Sequence, residues 1–140
     1  MKKVIFACTH SAGRSQMAAA FFNALADPAQ ARAEAAGTEP AERVHPEVVV
    51  AMGEVGSDLS SARPQKLTEE LAADASLLVT MGCGENCPYV PGLRVEDWAL
   101  DDPKGKPAAE VRRIRDQIRA RVQQLIEREG LGGQGSAAPL

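Results

Sequence analysis

Aromatic residues are scarce in this sequence, with one Trp, one Tyr and three Phe in 140 residues. A cleft walled by rings that would grip a phenyl group is therefore not expected. Histidine is scarcer still: only His10 and His45 occur, which leaves little for a histidine-rich metal site. A basic excess is missing as well, since 16 Lys and Arg stand against 19 Asp and Glu for a net charge of −3. That balance excludes a general electrostatic grip on nucleic acid and leaves room only for a local cationic pocket. Long apolar runs are absent too. None nears the roughly 18 residues that span a bilayer, and the stretch after Met1-Lys2-Lys3 lasts only from Val4 to Cys8, shorter than a signal-peptide core. A cytoplasmic protein that binds neither membrane nor nucleic acid is the expectation. Cysteine is the last shortage, and three is an odd number. In a reducing compartment it points to reactive or metal-binding thiols and not to a disulfide framework.

What is present fits one globular domain. With 44% hydrophobic and 25% charged residues, a chain of 140 can bury one continuous core. The segment from Gly130 to Ala138 is glycine-rich and has no apolar period, so a domain over residues 1–130 and a flexible tail over 131–140 are expected. Lys3-Val4-Ile5-Phe6-Ala7 reads as a strand buried on both faces. Met17, Phe21, Phe22, Ala24 and Leu25 then recur at helical spacing until Asp27-Pro28. Arg32 to Ala36 reads as a second strand that ends at Gly37. Pro46 opens a helix whose Val48, Met52 and Val55 share a face and which Gly56 stops. Pro64 to Ala73 reads as a third helix, Ser76 to Thr80 as a central strand, and Arg94 to Trp98 as a fourth strand. Val111, Ile114, Ile118, Val122, Leu125 and Ile126 form one stripe of a last helix, with Arg112, Arg113, Arg119 and Glu127 on its solvated side. Strands alternating with helices imply an open parallel α/β sheet, whose ligands sit at the carboxyl ends of its strands.

Two cysteine-bearing segments follow directly on such strands. The first is Cys8-Thr9-His10-Ser11-Ala12-Gly13-Arg14-Ser15, a cysteine, five residues, an arginine and a hydroxyl. A loop wrapped between a strand end and a helix start turns successive N–H groups inward, and the helix dipole adds positive potential. Thr9, His10, Ser11, Ala12, Gly13 and Arg14 are therefore the candidate oxyanion-binding residues, with the Arg14 guanidinium able to hold two oxygens at once. A thiol beside a helix N-terminus and a cation loses its proton more readily, which makes Cys8 a candidate nucleophile. Ser15 can donate its hydroxyl proton to the thiolate. A Walker-type loop does not fit, because Gly13-Arg14-Ser15 lacks both the earlier glycine and the lysine.

The second segment is Met81-Gly82-Cys83-Gly84-Glu85-Asn86-Cys87-Pro88. Cys83 and Cys87 are four residues apart and would share a helical face, within reach of a disulfide if the backbone adjusts. Gly82 and Gly84 permit such movement. A zinc site is the competing reading, but it needs about four ligands and only Cys8 or His10 remain to complete it. Simple burial of two small side chains is the other. Further on, Asp101-Asp102-Pro103 offers Asp102 as a general acid for a departing oxygen, against the plainer reading of a turn cap.

Taken together, Cys8 to Ser15 followed by Gln16-Met17-Ala18, the Cys83 to Pro88 segment and Trp98 to Pro103 resemble the thioredoxin-coupled arsenate reductases, which share the fold of low-molecular-weight protein tyrosine phosphatases. The likeness runs from Val4 to about Leu125. It implies a single-domain α/β fold, a four-stranded parallel sheet flanked by helices. It also implies arsenate as substrate and a relay of thiols: Cys8 attacks arsenate, Cys83 attacks Cys8, and Cys87 attacks Cys83 to leave a disulfide for thioredoxin. No cofactor and no metal are implied, and a monomer is expected. Where familiar members have an asparagine in the loop and an acidic residue in the first helix, this chain has Ser11 and Ala19, so the potassium site of some members is not expected. A low-molecular-weight thiol such as mycothiol is an alternative reductant, but the extra cysteine pair favours thioredoxin. The rival within the fold is a phosphatase for phosphotyrosine or a small phosphomonoester, which needs no resolving thiols. The rival outside it is a non-enzymatic binder of arsenite or a soft metal, which leaves Arg14 and Asp102 without work.

Overall fold

The computed structural model describes residues 2–81 and 92–132. Four strands, β1 (Lys2–Cys8), β2 (Ala31–Gly37), β3 (Leu77–Thr80) and β4 (Arg94–Asp97), pair in the order β2-β1-β3-β4. Every pairing is parallel. The helices are α1 (Arg14–Leu25), α2 (Pro46–Gly53), α3 (Glu69–Ala72) and α4 (Ala108–Glu129). The chain leaves β1 for β2 on one side and returns to β3 on the other. The strand order thus reverses at β1, and a crevice opens at its carboxyl end where ligands of such sheets bind. Cys8 is the last residue of β1.

The residues that form β1 alternate between two apolar layers. Val4, Phe6 and Cys8 face the larger core with α1, α2 and α4, whereas Ile5 and Ala7 face Leu67, Ala72 and Leu78 on the other side. Both faces are covered, as expected of a central parallel strand. In the larger core Phe6 meets Phe22 at 6.0 Å and Trp98 at 5.6 Å between ring centres. The α4 stripe of Val111, Ile114, Ile118, Val122, Leu125 and Ile126 is buried throughout.

Two details depart from the sequence reading. The helix expected over Pro64 to Ala73 shrinks to Glu69–Ala72. Residues before it are drawn out alongside β2, where Gly37 N–H donates to the Gln65 carbonyl and Leu67 N–H donates to the Gly37 carbonyl. The Thr68 hydroxyl then caps α3 by accepting from Leu71 N–H. At α2, Gly56 is the stop as expected: its φ is +83°, and Ser57 N–H reaches back to the Met52 carbonyl in a Schellman closure. Val48 and Met52 are buried, but Val55 falls past the last helical turn and is exposed. Beyond α4 the described chain still packs on the domain. Leu131 is buried in the larger core, its carbonyl accepts from Asp27 N–H, and Gly132 pairs with Ala26.

The arginine-rich side of α4 also holds one residue that is not solvated. Arg115 is buried, donates to the Ala51 carbonyl at 2.9 Å and to Glu54 Oε1 at 3.0 Å, and so pins α2 to α4. Arg112 adds a second pair of contacts to Glu54. Hydrogen bonding and attraction from Arg112, reinforced by Arg115, pull the Glu54 carboxyl down to about 2 from 4.5. A carboxylate depressed in the fold stabilises it above its unfolded pKa, and that contribution disappears as pH falls through the folded value. The difference in melting temperature between the wild type and Glu54→Gln is therefore expected to be full at pH 7. It should shrink between about pH 4.5 and 2, and a difference independent of pH across that window would show that the pair carries no linkage.

Candidate active site

The segment from Cys8 to Ser15 leaves β1 and enters α1 as a tight loop, and its geometry follows from where its carbonyls go. Thr38 N–H donates to the Cys8 carbonyl at 3.3 Å, Glu39 N–H to Thr9 at 2.8 Å, and Ala41 N–H to His10 at 2.9 Å. The Gln16 side-chain amide donates to the Ser11 carbonyl at 2.9 Å. His45 N–H donates to the Ala12 carbonyl at 2.9 Å, and Met17 N–H to Gly13 at 3.1 Å. All six carbonyls are thus captured by groups outside the loop. In a trans peptide the C=O and the following N–H point in opposite directions, so the N–H groups are turned the other way. Among the described residues, none of the N–H groups from His10 to Ser15 donates to a protein acceptor.

Two backbone features make this path possible. Gly37 lies under the loop: a β-carbon there would stand 2.6 Å from the Thr9 carbonyl oxygen and 2.7 Å from the Ser11 nitrogen, inside any tolerated contact. Ser11 has a φ of +52°, left-handed backbone that costs a residue with a β-carbon of order 1–3 kcal/mol. Ser11 is fully buried, so its surroundings hold it there.

The side chains complete the site. Cys8 is a free, buried thiol whose Sγ lies 3.1 Å from Ser15 Oγ. When the sulfur is a thiolate only the hydroxyl can donate. Arg14 is buried, its Nη1 donates to the Leu100 carbonyl at 3.0 Å, and its Nη2 is 3.8 Å from Asp102 Oδ2. The Nε of Arg14 is buried with no partner among the described residues, a charged donor left over in a cage of unspent N–H groups. Such a set fits an oxyanion and nothing cationic. Among the described residues, no group of three or more His, Cys, Asp or Glu is placed to hold a metal ion.

Asp102 comes to the same mouth on the loop after β4. Its Oδ1 accepts from Lys104 N–H at 3.0 Å, the turn cap of the plainer reading, while Oδ2 faces Arg14. Pro103 is buried and sits where a β-carbon on Gly13 would meet it at 3.1 Å, so the Asp102 loop rests on the anion loop itself. The structure brings together Cys8, Thr9, His10, Ser11, Ala12, Gly13, Arg14, Ser15 and Asp102. Cys83 and Cys87 lie outside the described residues.

Sequence reasoning missed three contributors. Gly37 stood only as the end of a strand, and Gln16 only as part of a motif. His45 went unassigned; its ring meets the edge of His10 at 6.5 Å and stands against Gly13. Burial pushes the His45 imidazole below its ordinary value, against the opposing pull of Glu47 and Asp102. Gly37 carried a readable signal, a glycine closing a strand, and the other two carried none.

The family described as low molecular weight phosphotyrosine protein phosphatase matches residues 3–134 of this chain. A glutaredoxin arsenate reductase of Synechocystis sp. is 36% identical over 129 residues, covering 90% of this chain and 97% of that protein. The solved structure of a Corynebacterium glutamicum thioredoxin-dependent arsenate reductase superposes with a TM-score of 0.81 at 34% identity, over 94% of this chain and 63% of that one. Another, an arsenate reductase in the phosphate binding state, gives 0.79 at 33% identity, over 91% and 98%.

A methyl group on Gly37 has only backbone to displace. Gly37→Ala is therefore expected to weaken inorganic phosphate binding by roughly tenfold or more, read by calorimetry on the reduced protein. Unchanged affinity would mean that the loop does not depend on this contact. With its strand order, its Cys8-to-Ser15 loop and these matches over nearly its whole length, the chain belongs to the low molecular weight phosphotyrosine protein phosphatase family.

Proposed function

We propose that this protein is an arsenate reductase that converts arsenate to arsenite through three cysteines acting in turn. The observation that carries the reading is a buried cysteine beneath a loop whose six carbonyls are all held outward, in a chain similar to arsenate reductases over most of its length. Arsenate is held by the N–H groups of Thr9 to Gly13 and by Arg14. The Cys8 thiolate attacks arsenic, steadied until then by the Ser15 hydroxyl, and Asp102 gives its proton to the departing oxygen, which leaves as water.

The remaining steps are thiolate attacks on sulfur. Cys83 attacks Cys8 Sγ, and the electron pair of the sulfur–arsenic bond passes to arsenic, which departs as arsenite. A Cys8–Cys83 disulfide remains, so two thiols have supplied the two electrons that arsenic gains. Cys87 attacks Cys83, Cys8 leaves as a thiolate, and the Cys83–Cys87 disulfide passes to an external reductant.

Thioredoxin is that reductant in our reading, as in the name of the Corynebacterium relative; a glutaredoxin is the second reading, on the name of the Synechocystis relative. The protein works as a monomer in the cytoplasm, where its thiols stay reduced. The phosphatase reading is the weaker one, because it leaves Cys83 and Cys87 unused.

With thioredoxin, its reductase and NADPH present, arsenate is expected to drive continuous NADPH oxidation. Cys87→Ser is expected to stop after a single turnover, with Cys8 and Cys83 joined. Continuous turnover by that variant would contradict the relay. Hydrolysis of a phosphomonoester with no arsenate-driven loss of NADPH would replace the reading by the phosphatase one.

A further inference from the structure

Five of the six loop carbonyls are held by backbone N–H groups, which no side-chain substitution removes. The sixth, that of Ser11, is held by a side chain, the Gln16 amide. Ser11 is also the one non-glycine residue of positive φ among the described residues, so the least comfortable peptide of the loop depends on the one replaceable support. Gln16 is itself buried, and its Nε2 lies 3.4 Å from Ser11 Oγ and donates at 3.3 Å to the Arg63 carbonyl. An amide nitrogen has two protons. One serves Ser11 and the other ties the loop to the chain at Arg63, so the nitrogen is fully engaged and has nothing to offer a ligand.

We propose that Gln16 is a positioning residue for the oxyanion site, and that it acts through the peptide between Ser11 and Ala12. The planar trans bond makes the Ser11 carbonyl and the Ala12 N–H antiparallel. Holding the carbonyl outward aims the Ala12 N–H at the oxyanion. Without the amide, the Ser11 carbonyl loses its donor and the left-handed backbone loses its restraint. The peptide can then rotate and present an oxygen to an anionic ligand, which repels it. This inference rests on the reading of the loop as an oxyanion site.

The probe is inorganic phosphate, measured by calorimetry on the reduced full-length protein. Gln16→Met keeps length and flexibility and removes the donor; it is expected to weaken phosphate binding by roughly tenfold or more. A loss of packing alone would not depend on the backbone at residue 11. The same substitution is therefore made in a Ser11→Gly background, where positive φ carries no penalty. There the expected loss is only about twofold. Should Gln16→Met not fold, Gln16→Leu, which also removes the donor and adds no charge, carries the same comparison.

Unchanged phosphate affinity in the folded variant would overturn the proposal. An equal loss in both backgrounds would overturn it too, because the effect would not pass through Ser11. If the wild type binds neither phosphate nor arsenate, the oxyanion reading itself fails, and that result is distinct from a wild type that binds while Gln16→Met binds equally well.

Discussion

The structure turns on the outward capture of one loop's carbonyls. A peptide group cannot offer its N–H and its C=O to the same side, so a cage of inward donors exists only where something outside accepts the task of holding each oxygen. Three parts of the fold share that task. The chain leaving β2 supplies Thr38, Glu39 and Ala41, the first turn of α1 supplies Gln16 and Met17, and the entry to α2 supplies His45. The sheet order β2-β1-β3-β4 is what makes this possible, because it sets the exit of β2 directly beside the exit of β1.

The support extends further back. His45 precedes Pro46, so its position is that of α2, and α2 is held to α4 by the buried Arg115 reaching the Ala51 carbonyl and Glu54. Pro103 packs on Gly13 and carries Asp102 with it, while Arg14 holds the Leu100 carbonyl two residues before that carboxylate. Asp102 and the cage are thus placed by each other, which is the arrangement a preorganised anion site needs.

Much of this was readable in the sequence where periodicity or spacing is strong. The six-membered stripe of α4, the doubly buried β1 and the Cys8-to-Ser15 spacing all announce themselves locally. Gln65, Lys66 and Leu67 do not, because all three residue types suit a helix and only the pairing with Gly37 draws them into extended form. Gln16 and His45 look like ordinary polar residues until the fold brings their N–H groups to the loop. Gly130 marks the end of α4 in the sequence, whereas the burial of Leu131 just beyond it in the core beneath α1 carries no local signal.

The central claim is that one anion site feeds electrons from cysteine to arsenic, and the direct measurement is intact mass and free-thiol count of the fully reduced protein mixed with arsenate, with phosphate as control and no other reductant present. The account predicts a loss of about two mass units and two thiols with arsenate and no change with phosphate. Three thiols surviving in arsenate, with an unchanged mass, would contradict it.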